Sequence, residues 1–244
     1  MKVAYFDCFS GISGDMTLGA LISCGLNWQQ LQTTIAKLPI EGYSLSHEII
    51  IEKGIEAIKV SVNINKEAQN HQPARHLKEI AEIIKTAALP KKVEKASLEV
   101  FAYLAWAEAR VHHTSMEEIH FHEVGAIDSI IDIVGSIWGL YQLGIEQIYA
   151  SPLPQGTGMI QCQHGRIPNP APATLELLRG VPVYGTNIEY ELVTPTGAAL
   201  LTGLGAKFGS MPILKTLNIG YGAGTHKLEQ PNLLRLIIGE KHSN

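Results

Sequence analysis

The chain has 244 residues, an ordinary apolar content and a formal net charge of −4. That is enough for one large domain or two small ones with real cores, and it leaves no broad basic field for nucleic acid. The longest apolar stretch, residues 127–143, is broken by Asp128 and Asp132 and so makes no membrane span. The opening "MKVAYFDCFSG" reaches a turn too early for a secretory leader. Cys8, Cys24 and Cys162 are odd in number, far apart and without a C-x-x-C spacing, which argues against a disulfide framework or a thiolate zinc site. A reduced cytoplasm is the expected location.

In chain order, "KVAYFDC" reads as a short apolar strand, "FSGISGDM" as a Gly/Ser turn, and "TLGALISCG" as a helix stopping at Gly25. A second short helix, "NWQQLQTTIAKL", opens on Asn27 as N-cap. "YSLSHEIIIEKGIEAIKVSVNI" predicts a hairpin turning at Lys53–Gly54, followed by a polar loop. Helices are predicted over residues 76–88 and 91–112, with another starting near Glu123. From Tyr149 onward strands, prolines and glycines alternate, with short helices at "APATLELLRG" and "TGAALLTGLGAKFG" and a final strand "NLLRLIIG". The expected class is α+β, a mixed α/β fold whose strands and helices interleave irregularly around a mixed sheet. Residues 1–244 read as one region, divisible near Ala150 into a helix-rich first part and a strand- and turn-rich second part.

The stretch "HFHEVGAIDSIIDIVG", residues 120–135, carries the densest chemistry. Counted as a helix, it places Gly125, Asp128, Asp132, Gly135 and Gly139 on one stripe and apolar residues on nearly every other side. A helix apolar all round is buried, so its one polar stripe is expected to be shielded and partnered. The stripe's glycines leave room for something close to the backbone. His120 and His122 lie just upstream with Glu123, and Glu108 and His112 share a face of the preceding helix. Imidazole with carboxylate suits Ni, Zn, Co or Fe better than Mg. The same residues also fit a structural ion cluster.

Three Gly-rich turns stand out. "DCFSGISGDM" leads from strand into helix, and its glycines, hydroxyls and free N–H groups make an anion cradle, with Asp7 and Asp15 placed to hold a cation beside a phosphate. "TPTGAAL" repeats the logic with Pro195 before a Thr–Gly helix start, and "GYGAGTH" is a third such turn. Neither a Walker sequence nor G-x-G-x-x-G is present.

Taken together, "DCFSGISGDM", "HFHEVGAIDSIIDIVG", "HGRIPNPAPATLELLRG", "ELVTPTGAAL" and "GYGAGT" closely resemble the LarC family of nickel-insertion proteins, in the family's order and over nearly the whole chain. The resemblance implies insertion of Ni²⁺, the substrate metal, into pyridinium-3,5-bisthiocarboxylic acid mononucleotide. The product is the nickel-pincer cofactor of lactate racemase-type enzymes, formed with hydrolysis of CTP by a lyase-type metallochelatase. His120, His122, Glu123, Asp128 and Asp132 are the expected metal cluster, with Glu108 and His112 behind them. His122, Glu123 and Asp128 are the expected catalytic set, because insertion at a ring carbon needs a base for its proton. Asp7, Ser10, Gly11, Ser13, Gly14, Asp15, Thr194, Thr196 and Gly197 are expected to hold the phosphate or its cation.

Two departures qualify the resemblance. The histidine-rich run of many members is reduced here to His71 and His76. The further C-terminal domain associated with CTP, and with Mg²⁺ or Mn²⁺, is expected to lie outside this chain. Expected partners are that domain, the apo-racemase and a second copy of the chain, with no nucleic acid and no membrane. Two rival functions remain open at this stage: a Mg-dependent phosphoryl or nucleotidyl transferase, and a non-catalytic nickel carrier or assembly subunit.

Overall fold

The computed structural model describes residues 1–65, 75–121, 126–162 and 165–241. Among them, seven helices and thirteen strands interleave, a mixed α/β fold as the sequence indicates. The first part holds β1 (Lys2–Asp7), α1 (Gly14–Ser23), α2 (Trp28–Ile35), β2 (Tyr43–Glu52), β3 (Ile55–Ile64) and β4 (Arg75–His76). It continues through α3 (Leu77–Thr86), α4 (Lys91–His112), β5 (His120–Phe121) and α5 (Ile127–Gln142). There follow β6 (Gln147–Ala150), β7 (Leu153–Gln155), β8 (Met159–Cys162), β9 (Gly165–Pro168), α6 (Pro172–Leu177) and β10 (Val183–Gly185). The chain then runs through α7 (Pro195–Gly203), β11 (Lys207–Phe208), β12 (Lys215–Ala223) and β13 (Leu233–Glu240).

The main sheet has seven strands in the order β11-β6-β1-β13-β12-β3-β2, drawn from both sides of residue 150. It is mixed: β1 runs parallel to β6 and antiparallel to β13, and β12 meets β3 in parallel. Flanked on both sides, β1 is apolar on both faces. Ala4 and Phe6 enter the main core, whereas Val3 and Tyr5 pack with Tyr149 on the other face.

Local signals explain several boundaries. Asn27 caps α2, its Oδ1 accepting the Gln30 N–H at 2.9 Å. Asn27→Ala should therefore cost about 1 kcal/mol, read as a lower urea midpoint with unchanged slope. Lys53 and Gly54 take φ of 51° and 85°, the left-handed pair that a two-residue hairpin turn requires. The helix expected near Glu123 begins at Ile127; residues 122–125 lie outside the described ones.

Close packing explains most of the glycines. On α5, Gly135 faces Leu18 and Leu31, and Gly139 faces Leu21 and Leu26, so the polar-and-glycine stripe is the side on which α1 and α2 dock. Gly220 and Gly222, expected in a Gly-rich turn, instead lie within β12, where a side chain would overlap the backbone of α1 at Met16 and Ala20. That stretch is a seat for a helix on the sheet, not an anion turn. Among the described residues, no helix is long and apolar enough to cross a membrane.

Candidate functional site

Three helices begin at one cleft of about 460 Å³. Ser13, Gly14 and Asp15 come from the head of α1, Asp128, Ser129 and Asp132 from α5, and Thr194 and Thr196 from the head of α7. Val60 to Asn63 of β3 and Thr225 complete the wall. The partial positive charge at each helix start favours anionic groups there, whether side chains or ligand.

Two of the Gly-rich turns form a single joint beside this cleft. The Ile12 N–H donates to the Leu192 carbonyl at 2.9 Å, and the Thr194 N–H returns to the Ile12 carbonyl at 3.1 Å. A side chain at Gly11, whose φ is +99°, would overlap Leu192, and one at Gly197 would overlap Ile12. Gly11 donates its N–H to Cys8, so two amides expected to face an anion are spent inside the joint. Thr194 Oγ1 accepts the Gly197 N–H at 3.1 Å and caps α7.

The other expected phosphate-side residues divide. Ser13 Oγ donates to Asp15 Oδ1, which also accepts the Met16 N–H at 2.8 Å. Ser10 is buried, donating to the Pro231 carbonyl and accepting from Gln230 Nε2, each at 2.7 Å. Asp7 pairs with Arg235, and neither Asp7 nor Ser10 is among the cleft-lining residues.

Asp15, Asp128 and Asp132 share the cleft, and none of its described lining residues is Lys, Arg or His. Asp132 packs so close to Gly14 that a side chain there would overlap it. Its Oδ1 is sealed from solvent and has no hydrogen-bond partner among the described residues. Burial, with repulsion from Asp15 and Asp128, holds its pKa well above the ordinary aspartate range. Burial also raises Asp15, against hydrogen bonds from Ser13 and Met16 and the charge of Lys59. Asp128 meets solvent at the cleft mouth, yet the surrounding walls desolvate its carboxyl enough to raise it, and Asp15 adds repulsion.

The expectation of two shielded and partnered aspartates thus holds only in part. Asp128 is exposed, its Oδ1 accepting the Ser129 N–H at 2.8 Å, and Asp132 is half-buried, its sealed Oδ1 lacking a partner among the described residues.

His120 sits on β5 opposite His76 and does not line the cleft. His112 Nε2 and Glu108 Oε2 approach to 3.6 Å on α4, also away from the lining. His122 and Glu123 lie outside the described residues. Among the described residues, no group of three His, Cys, Asp or Glu already stands at metal-ligand spacing. Sequence reasoning assigned Asp15 to the phosphate and Asp128 and Asp132 to the metal; the fold puts all three in one cleft. It also adds Ser61 and Asn63, which lie outside any motif, and Ser129 and Thr225, which lie within quoted motifs but were not singled out.

Comparison with known proteins places the chain in a family. The chain is 50% identical over 240 residues to a pyridinium-3,5-bisthiocarboxylic acid mononucleotide nickel insertion protein of Desulfitobacterium hafniense (strain DSM 10664 / DCB-2), covering 98% of this chain and 59% of that relative. It is 44% identical over 248 residues to the protein of the same name from Geobacillus kaustophilus (strain HTA426), covering 99% of this chain and 60% of the relative. The chain therefore spans about three fifths of the length of the curated relatives it matches. No solved structure matches. The family model described as nickel insertion protein matches residues 4–244, and the chain belongs to that family.

Proposed function

We propose that this chain forms the metal- and substrate-holding part of an enzyme that inserts Ni²⁺ into pyridinium-3,5-bisthiocarboxylic acid mononucleotide, the compound named for its relatives. The observation that carries the reading is the sealed, unpartnered Asp132 Oδ1 beside Asp15 and Asp128. A carboxylate buried without a partner costs free energy, and a divalent cation drawn among the three removes both that cost and their repulsion. Oxygen ligands hold Ni²⁺ loosely enough to yield it to thiocarboxylate sulfur. The starts of α1, α5 and α7 offer N–H groups and partial positive charge to the mononucleotide phosphate. Asp128, at the cleft mouth, is the proposed base among the described residues for the proton lost from the ring carbon.

His122 and Glu123 complete the proposed ligand set and, with Asp128, the proposed catalytic set. In the same reading the chemistry is that of a lyase-type metallochelatase working in the cytoplasm. CTP acts with Mg²⁺ or Mn²⁺ through sequence present in the longer relatives, and the product passes to an apo-racemase.

A second reading has its own support. The described lining offers oxygen and amide groups but no imidazole, which suits Mg²⁺ and phosphoryl transfer. Calorimetry separates the two. Ni²⁺ is expected to bind more tightly than Mg²⁺, and mass spectrometry of a mixture with dithiolated substrate and CTP should show a nickel adduct once the remainder of a full-length relative is supplied. Equal affinity for the two ions, with no adduct, would favour phosphoryl transfer.

A further inference from the structure

In the ribbon of β4 and β5, His76 stands directly opposite His120, and Arg75 opposite Phe121. Phe121 is buried at 1% exposure, so strand alternation turns the two histidines to the outer face. Their ring centroids are 3.9 Å apart, with planes inclined at 47°. His120 is exposed and His76 partly so.

His76 is held firmly. Its backbone N–H donates to Glu79 Oε2 at 2.7 Å, at the start of α3, and its ring Nδ1 lies 3.1 Å from the Ile119 carbonyl. A carbonyl can only accept, so Nδ1 carries the proton and Nε2 keeps its lone pair for another partner. Cross-strand neighbours have Cβ atoms about 4.5–5.5 Å apart, a span over which two imidazoles can reach one ion.

We propose that His76 and His120 chelate a late first-row divalent cation, with water completing its shell, as a second metal site on the surface and apart from the carboxylate cleft. Imidazole selects such ions over Mg²⁺ and Ca²⁺. Among the described residues the ribbon supplies two ligands, and a site so open to water exchanges its ion readily, which suits a loading position from which Ni²⁺ moves on. The ion's destination rests on the proposed function above; binding at the ribbon does not.

The test is titration of the isotope-labelled full chain with Ni²⁺, whose unpaired electrons broaden nearby amide resonances. Wild type and Asp132→Asn should both broaden around residues 76 and 120. His76→Ala and His120→Ala should each weaken ribbon binding about tenfold or more, because losing either ring ends the chelate. The double variant should be little worse than either single one. His120→Gln, closer to histidine in size, should behave like His120→Ala and guards against a disturbed ribbon. Unbroadened ribbon signals in wild type would overturn the proposal, as would a single variant that keeps wild-type affinity there. Broadening confined to the ribbon would sink the cleft reading and leave this one standing.

Discussion

Replacing Asp132 with asparagine should raise the stability of the metal-free chain and remove its tight cation binding in the cleft. Asparagine keeps the shape but not the charge. The wild-type carboxylate has its Oδ1 sealed without a partner and two further carboxylates in the same cleft. Asparagine leaves a polar atom unpartnered in the same place, so the gain comes from losing the buried charge and its repulsion and is worth about 1–2 kcal/mol. The sign with pH follows from the same cause. Asp15, Asp128 and Asp132 all have folded pKa values above the ordinary aspartate value of 3.8. Between that value and their folded values the native state holds more protons than the unfolded one, so their contribution to stability is lost as pH rises. Without metal, thermal unfolding should therefore move to lower temperature as pH rises from about 4 towards neutrality. Asp132→Asn should flatten that slope, and a saturating divalent cation should reverse it in wild type by binding the ionised form. A slope unchanged in Asp132→Asn would show that this carboxylate is not the strained one.

The second large effect is expected at Gly14. Alanine for glycine in a helix ordinarily gains up to about 1 kcal/mol. Here a Cβ would overlap Asp132, lying 2.5 Å from Oδ2 and 2.7 Å from Cγ. Asp132 has little room to retreat, because the next two turns of α5 are seated at Gly135 and Gly139 on Leu18, Leu21 and Leu26. Gly14→Ala should thus cost about 1–3 kcal/mol and weaken cation binding, since it displaces the carboxylate the ion needs. Gly25→Ala is the contrasting case. Its φ of +103° makes alanine strained, but its Cβ would meet nothing, so stability should fall while cation affinity stays at the wild-type value. Denaturation and calorimetry on the two variants distinguish loss of the site from loss of stability.

What the sequence made legible was whatever depends on near neighbours. The Asn27 cap, the Lys53–Gly54 turn and the buried helix with its Asp128–Asp132 stripe are all set within a few residues, and all are present. What stayed hidden depends on distant contacts. Gly220 and Gly222 look like turn glycines because their reason, the backbone of α1, is some two hundred residues away. The joint between Ile12 and Val193 gives no local signal either, so two Gly-rich motifs read as separate cradles when they form one structure. Asp15 was legible as a helix-start residue, but its place beside Asp128 and Asp132 follows from how α1 docks on α5. His120 was visible as a ligand type; that it faces His76 rather than the cleft required the pairing of β4 with β5. Glycines on the Asp stripe were the one sequence clue to a partner at close range, and the partners are α1 and α2.

The most direct test of the carboxylate cleft as the nickel-holding site is anomalous diffraction at the nickel edge from crystals of the chain soaked in Ni²⁺. The expected result is a peak among Asp15, Asp128 and Asp132, bonded to the Asp132 carboxylate and absent from Asp132→Asn crystals. Nickel found only at other positions, with the cleft empty at saturating metal, would contradict it.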